Sequence, residues 1–169
     1  MNPAMQFDSS ALAFPTDTGY SPEAKIVSRL LDEALDHLSN TGAEGQRLQN
    51  AISALDDVYQ ECCEGNWDGY GAKAISEDAY VEAYTFLKLL PSDIPIPEFV
   101  PEPTGAIALE WFRGTRFVFV VSVSGESFIT YAGLFGINKV HGTEYFADAL
   151  PASIVLNIRR LYSYRLPAN

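Results

Sequence analysis

Two residues that could carry chemistry stand in the segment HGTE, which runs from His141 to Glu144. A histidine with a carboxylate suits general acid–base catalysis, and with a third ligand such as Asp68 or Glu110 the pair could hold a metal ion. In a strand, however, residues three apart point to opposite faces unless a bulge intervenes. A structural histidine is the simpler interpretation, and a small hydrolase using His141 with Glu144 or Asp68 is kept as the alternative function.

Other patterns that carry chemistry do not fit. Ser124-Gly125 is typical of a hairpin turn and does not match the nucleophile elbow G-x-S-x-G. The segment GLFG at 133–136 has no lysine and no serine or threonine for a phosphate loop. It predicts a turn that presents Leu134 and Phe135, which are interface candidates if exposed and core residues if buried. We therefore assign no catalytic residue, no metal ligand and no cofactor.

The segment EGNWDGYGA at 64–72 is the most distinctive in the chain. Gly65 suits a helix C-cap, and Asp68 with Gly69 suits a turn that requires a positive φ. Trp67 and Tyr70 are expected to fold back onto the core while their polar atoms find partners. The pattern favours a structural turn over a catalytic loop, and its side chains remain candidates for contact with a partner.

Composition and charge bound the function. The chain has 169 residues and a net charge of −11. It has no apolar run near the about 20 residues that span a bilayer, its N-terminus does not resemble a signal peptide, and its only cysteines are adjacent, which suits reduced thiols. We expect a cytoplasmic protein with no membrane partner.

The acidity is concentrated in the first part of the chain. Up to Thr104 there are 18 acidic and 5 basic side chains, and from Gly105 onward there are 4 and 6. Phosphate backbones repel such a chain, so no direct nucleic-acid binding is expected. The acidic part could instead dock on a basic protein surface, for example one that normally holds nucleic acid. A weaker alternative is a nucleic-acid-binding face made of Arg113, Arg116, Arg159, Arg160 and Arg165, which helix-end contacts and ion pairs also explain.

Periodicity predicts the elements. Helical spacing predicts a helix over 22–38 that stops at Ser39–Gly42, a second over 46–63, and a third from the N-cap Ser76 to Pro91. The expected apolar stripes are Leu48, Ile52, Leu55, Tyr59 and Cys62 on the second helix and Tyr80, Ala83, Tyr84, Leu87 and Leu90 on the third. Ile94, Ile96, Phe99 and Val100 then predict that the proline-rich segment packs as a strap. A period of two predicts four antiparallel strands, at 107–111, 117–123, 127–132 and 139–146, followed by a helix from Pro151. The fold class is α+β, with N-terminal helices, a proline-rich strap, a four-stranded antiparallel meander and a C-terminal helix packed on the sheet. The expected organisation is a loosely ordered 1–20 and a single domain 21–169, divided into a helical part 21–90, the strap 91–104 and the sheet plus helix 105–169.

Four segments together resemble an uncharacterised family of small bacterial proteins. They are WDGYGA at 67–72, IALEW at 107–111, YAGLFG at 131–136 and HGTE at 141–144, and the resemblance covers roughly 60–161. It transfers no activity. It implies an origin on mobile or accessory genetic elements.

These observations favour a small acidic interaction protein without enzymatic activity. We expect an inhibitor, antitoxin or anti-defence factor that occludes a protein partner, because aromatic side chains suited to interface hot spots are abundant and catalytic groups are few. The exposed edges of the meander also permit a homodimer. The candidate contact residues are Asp56, Asp57, Glu61, Trp67, Asp68, Tyr70, Leu134 and Phe135.

Overall fold

The computed structural model describes the backbone of residues 22–164 and the side chains of residues 42–164. The predicted loose segment 1–20 and Arg165 lie outside these residues. The chain divides into two compact units, residues 1–41 and 42–169. In the first unit the described residues are helical. The packing described below is that of residues 42–164.

The described residues form three helices and one five-stranded sheet. In chain order the elements are α1 (Pro22–Cys62), α2 (Glu77–Leu89), β1 (Glu98–Pro101), β2 (Ile107–Gly114), β3 (Phe117–Val123), β4 (Phe128–Phe135), β5 (Asn138–Tyr145) and α3 (Ala152–Ser163). The α+β class is confirmed, but the prediction of four strands is wrong. None of the helices in this part of the chain is long and apolar enough to cross a membrane.

Helix α1 has no break at Ser39–Gly42, where the sequence predicts a stop. Serine, asparagine and glycine are weak helix formers, yet each lowers the stability of a helix by at most about 1 kcal/mol relative to alanine. No proline is present there to interrupt the backbone hydrogen bonds of the helix. The predicted apolar stripe of its second half is largely confirmed. Leu55 and Cys62 are buried, and Leu48, Ile52 and Tyr59 pack half-buried against the core.

Helix α2 begins as predicted, because the Ser76 hydroxyl accepts a hydrogen bond from the Ala79 backbone N–H at 3.1 Å. Its buried face differs from the predicted stripe of Tyr80, Ala83, Tyr84, Leu87 and Leu90 by about one residue. The buried residues are Ala79, Glu82, Ala83, Phe86 and Leu87. Small alanines allow the helix to approach the sheet closely, so the tyrosines lie at the edge of the contact, where the Tyr80 hydroxyl reaches the Asp56 carboxylate.

The fifth strand comes from the proline-rich strap. Strand β1 pairs antiparallel with β2, Phe99 opposite Leu109, and forms one edge of the sheet in the order β1-β2-β3-β4-β5. Proline is tolerated in edge strands, which need fewer backbone donors. The apolar residues of the strap are only partly packed as predicted, because Ile94 and Phe99 are buried whereas Val100 is 38% exposed.

Helices cover one face of the sheet. Side chains alternate along each strand, so Leu109, Phe119, Val121 and Ile129 face α2 and α3 and are fully buried. The other face, called the outer face below, carries the alternate residues of every strand. On the three middle strands these are Ala108, Glu110 and Phe112, then Val118, Val120 and Ser122, then Phe128, Thr130, Ala132 and Leu134.

Two glycines on the helix-facing side make room for aromatic rings. A Cβ at Gly133 would lie 2.7 Å from Phe119 Cδ2, and one at Gly142 would lie 2.6 Å from the Tyr131 hydroxyl. Each glycine is the direct cross-strand partner of the ring that covers it. The small residues in the YAGLFG and HGTE segments are therefore explained by packing.

Candidate protein-binding surface

The loop that joins α1 to α2 is held by an internal network. The Asp68 carboxylate accepts hydrogen bonds from the backbone N–H groups of Tyr70 (2.8 Å) and Ala72 (3.1 Å). The Asn66 side-chain oxygen accepts from Gly71 N–H at 2.8 Å, and the Asn66 N–H donates to the Ala72 carbonyl at 2.7 Å. We call residues 65–72 the Tyr70 loop. Its conformation is determined before any partner binds.

Backbone geometry explains why the loop has this sequence. Asn66 and Gly69 have φ values of 65° and 76°, in the left-handed region that asparagine and glycine tolerate best. The Asp-Gly turn is as predicted. Gly65 does not have a positive φ, so Asn66 takes the place that we predicted for the C-cap glycine.

Asp68 stabilises the loop as an anion. The backbone N–H groups of Tyr70 and Ala72 lower the pKa of the Asp68 carboxyl below its ordinary value. Because both of its hydrogen bonds hold the loop together, Asp68 acts as a positioning residue. It does not point a free carboxylate at a metal or a substrate.

The two aromatic residues of the loop have different environments. Trp67 is half-buried against the core, and its indole N–H donates to the Lys73 carbonyl at 3.0 Å, as predicted. Tyr70 is 95% exposed, so the expectation that it folds back onto the core is wrong. The turn at Gly69 directs Tyr70 outward. Because the tyrosine ring is amphipathic, its exposure to water costs only a modest amount of free energy. A rigid loop with a fully exposed aromatic tip suits an interface anchor.

Acidic side chains precede this tip along the chain. Asp57, Glu61 and Glu64 are all exposed. Asp57 and Glu61 are four residues apart on one side of α1, so they repel each other, and the negative end of the helix dipole disfavours both. This local cost would be relieved by a basic partner. We call Asp57, Glu61, Glu64 and Tyr70 the acidic–aromatic surface.

Asp56 has a different role. It is half-buried and accepts a hydrogen bond from the Tyr80 hydroxyl at 2.5 Å, between α1 and α2. The Tyr59 ring packs on the Tyr80 ring with centroids 4.8 Å apart. Sequence analysis placed Asp56 with Asp57 and Glu61 on one binding face, but its carboxylate is engaged inside the fold.

The contact between Asp56 and Tyr80 predicts a pH dependence. The hydrogen bond to the carboxylate, together with burial, raises the pKa of Tyr80 from 10.0 to about 12. The folded state therefore retains this proton where the unfolded chain loses it, and the stabilisation present below pH 10 declines as the pH rises towards 12. We expect the stability difference between the wild type and Tyr80→Phe, from urea unfolding at pH 8 to 11, to be constant at first and to shrink above pH 10.

Asp56→Asn supplies the control for this prediction, because it keeps a hydrogen-bond acceptor and removes the charge. Its Tyr80 should ionise at lower pH than in the wild type when phenolate absorbance is followed. Identical titration curves for the two proteins would contradict the assigned contact.

His141 and Glu144, one of the two residue pairs of the alternative hydrolase, do not form a site. His141 lies on the outer face, exposed, as the cross-strand partner of Ala132. Glu144 points to the helix-facing side, where the Ser153 hydroxyl donates to its carboxylate at 2.7 Å. The alternation of a regular strand thus separates them, as the spacing predicts. Among residues 42–164 no group of three histidine, cysteine, aspartate or glutamate side chains is placed to hold a metal ion.

Leu134 and Phe135 are the last residues of β4 and not a turn, so that prediction is wrong. The turn lies one residue later, at Gly136, whose φ is 70°. Because successive side chains of a strand alternate, Phe135 is buried in the core and Leu134 lies half-buried on the outer face. Only Leu134 remains available to a partner.

Several arginines of the proposed basic face are engaged within the fold. Arg113 donates to the carbonyls of Leu161 and Tyr164 at the end of α3, and Arg159 forms a bidentate pair with Asp93 at 2.8 and 3.0 Å. The Arg160 guanidinium lies 4.5 Å from the centre of the Phe135 ring. These contacts match the helix-end and ion-pair explanation.

One buried carboxylate was not predicted from the sequence. Glu82 of α2 accepts hydrogen bonds from the backbone N–H groups of Ser124 (3.1 Å) and Gly125 (2.7 Å) in the turn between β3 and β4. Glu82 stands three residues after Ala79 and four before Phe86, and this spacing places it on the buried stripe of the helix. The spacing could therefore have predicted its burial. Glu82 attaches the turn to the helix, so its role is structural.

Comparison of the chain with protein-family models, with curated proteins and with solved structures found no match. The resemblance to small bacterial proteins therefore stays a prediction.

Proposed function

We propose that this protein binds a basic protein surface through its acidic–aromatic surface and occludes it, without catalysing a reaction. The observation that carries the proposal is Tyr70, which is 95% exposed at the tip of a loop held by its own hydrogen bonds. Tyrosine offers a large contact area at low entropic cost, and a preordered loop reduces that cost further. An inhibitor, antitoxin or anti-defence factor would use such a surface.

The exposed carboxylates define the chemistry of the partner. Asp57, Glu61 and Glu64 would attract a surface rich in lysine and arginine and speed the encounter, whereas the tyrosine would supply most of the affinity. A basic surface that normally holds nucleic acid fits this description, since an acidic protein can compete for the same positive charges.

The test is affinity capture of the full chain from nuclease-treated lysate of the source organism, followed by titration of the purified partner. We expect one basic protein to be captured in stoichiometric amount. Tyr70→Ala should weaken binding by about 2 kcal/mol or more, which is about 30-fold in Kd. The double variant Asp57→Lys, Glu61→Lys should lower the association rate and the salt dependence of binding.

Two further variants test whether a loss of binding is specific to the acidic–aromatic surface. Ile137→Ala removes another exposed apolar side chain, 85% exposed at a different turn, and should bind like the wild type. Asp68→Ala keeps Tyr70 but removes the acceptor that orders the loop, so it should also weaken binding, with Asp68→Asn intermediate. A partner captured equally by all variants, or no partner from folded protein, would refute the proposal.

A further inference from the structure

The outer face of the sheet is an apolar surface that no described element covers. Among residues 42–164, the helices that contact the sheet, α2 and α3, lie against its other face. Phe112 is 60% exposed and shares a row with the half-buried Val118 and Leu134, and Val120 and Ala132 continue this apolar area in the next row. Phe128 and Tyr145, 55% and 64% exposed, form a separate pair at the other end of β4 and β5. Contiguous exposed apolar surface such as that around Val118 and Leu134 marks an interaction site.

Charges are distributed asymmetrically across this face. One row of directly paired residues crosses all five strands in the order Glu98, Glu110, Val120, Ala132 and His141. The two carboxylates are direct cross-strand neighbours, an arrangement that is destabilising in an isolated sheet. The row is therefore acidic at β1 and β2 and apolar in the middle, and it ends in a histidine at β5.

The next row contains Phe112, Val118, Leu134 and Lys139, with a basic residue on β5 and no acidic residue. Reversing the strand order of both rows places His141 over Glu98, makes Lys139 a diagonal neighbour of the same carboxylate, and places an apolar centre over an apolar centre. The β5 edge of the outer face is therefore complementary to the β1 edge of a second copy.

We propose that the outer faces of two copies pack against each other as a homodimer with its two-fold axis nearly parallel to the strands. This operation exchanges β1 with β5, so His141 of each copy meets Glu98 of the other, Glu110 meets Ala132 and Val120 meets Val120. Lys139, two residues from His141 on the same face, is then the diagonal neighbour of that Glu98. The result is an isologous interface that resembles a β-sandwich with aligned sheets.

The alternative two-fold, perpendicular to the strands, keeps β1 over β1 and β5 over β5. With its axis along the row of Glu98 and Glu110 it would place these carboxylates over the same residues of the second copy, and like charges that face each other across an interface cost several kcal/mol. Only the axis parallel to the strands brings the acidic edge over the basic edge.

The available area is sufficient for a stable dimer. Five strands spaced about 4.8 Å apart, each up to about 27 Å long, give a footprint of about 600 Å² per copy. The total of about 1,200 Å² lies at the lower limit for specific interfaces. We therefore expect a dimer at micromolar concentration that dissociates on dilution. This surface is separate from the acidic–aromatic surface, so the inference does not depend on the proposed function.

The test uses two charge-reversed proteins. The first carries Glu98→Lys and Glu110→Lys, and the second carries Lys139→Glu and His141→Glu. Each faces its own copy with like charges, so by analytical ultracentrifugation each should dissociate at a concentration about tenfold or more above that of the wild type. Mixed together they are complementary, and a heterodimer should form.

Controls and contrary outcomes are well defined. Glu126→Lys and Asp148→Lys reverse exposed charges off this face and should leave the dimer unchanged. Circular dichroism and thermal melting should show that all variants are folded. A monomeric wild type at tens of micromolar, as expected if another partner or another part of the chain covers the face, would overturn the proposal. So would reversed proteins that dimerise like the wild type or that fail to pair when mixed.

Discussion

Replacing Trp111 by alanine is expected to lower the free energy of unfolding by about 3–5 kcal/mol, the usual cost of removing a large aromatic side chain from a core. Trp111 is 1% exposed on the helix-facing side of β2. Its ring packs between those of Phe86 and Phe119, with centroid distances of 6.2 and 6.3 Å. The cavity would therefore open between α2 and the centre of the sheet, where the surrounding structure is least able to collapse.

The indole N–H adds a second effect. It donates to the Pro95 carbonyl at 2.7 Å, which attaches the strap to the sheet. Trp111→Phe keeps most of the ring but leaves this carbonyl without its donor, so a loss of about 1–3 kcal/mol is expected. Chemical denaturation of both variants measures the two effects separately.

Trp67 provides the comparison for Trp111. It is only half-buried, so Trp67→Ala should cost less than Trp111→Ala although both remove an indole that donates to a carbonyl. Equal losses at the two positions would contradict the assignment of Trp111 as the centre of the core.

Replacing Gly125 by alanine is the second change with a large expected effect, a loss of about 2–5 kcal/mol. Gly125 has a φ of 83°, which an L-residue adopts at a cost. An added Cβ would also lie 2.5 Å from Asp78 Cβ and 2.7 Å from the Asp78 carbonyl carbon. Because these atoms belong to the first turn of α2, the turn between β3 and β4 would have to move away.

That movement would also break hydrogen bonds. The same turn donates two backbone N–H groups to the buried carboxylate of Glu82. A carboxylate left buried without its donors is strongly destabilising, so the strain cannot be relieved cheaply. Thermal and urea unfolding of Gly125→Ala should both show the loss.

Gly136 offers a matched control, because its φ of 70° is similar whereas the nearest atom to an added Cβ is Phe117 Cζ at 3.8 Å. Gly136→Ala should therefore show only the backbone cost of about 1–2 kcal/mol. If both variants lost the same stability, the close approach between the turn and α2 would not be a determinant of the fold.

The sequence predicted most of the elements because their patterns are local. Strand β3 has the predicted bounds, Phe117–Val123, and α2 begins at its predicted N-cap, Ser76. A period of two and a hydroxyl before a helical stripe are visible within a few residues. The separation of His141 from Glu144 follows from the same local periodicity, so it could be anticipated that these two residues do not form a site.

Other features depend on distant segments and could not be predicted. The strap became a strand only because β2 offered a free edge to Glu98–Pro101. Asp56 is indistinguishable from Asp57 in the sequence, yet only Asp56 meets the Tyr80 hydroxyl of another helix. Likewise, Tyr70 and Trp67 are both loop aromatics, yet Trp67 donates its indole N–H to the Lys73 carbonyl whereas the turn at Gly69 directs Tyr70 outward.

The sequence by itself determined the class of the protein, the alternation of its strands and its acidic charge, because these follow from residue type and spacing along the chain. Tertiary structure decided which side chains are free to meet a partner. It exposes Tyr70, buries Phe135, and aligns Glu98, Glu110 and His141 in one row across strands that are far apart in sequence. The physical reason is that exposure and cross-strand register depend on what packs opposite each residue, and that neighbour is chosen by the whole fold.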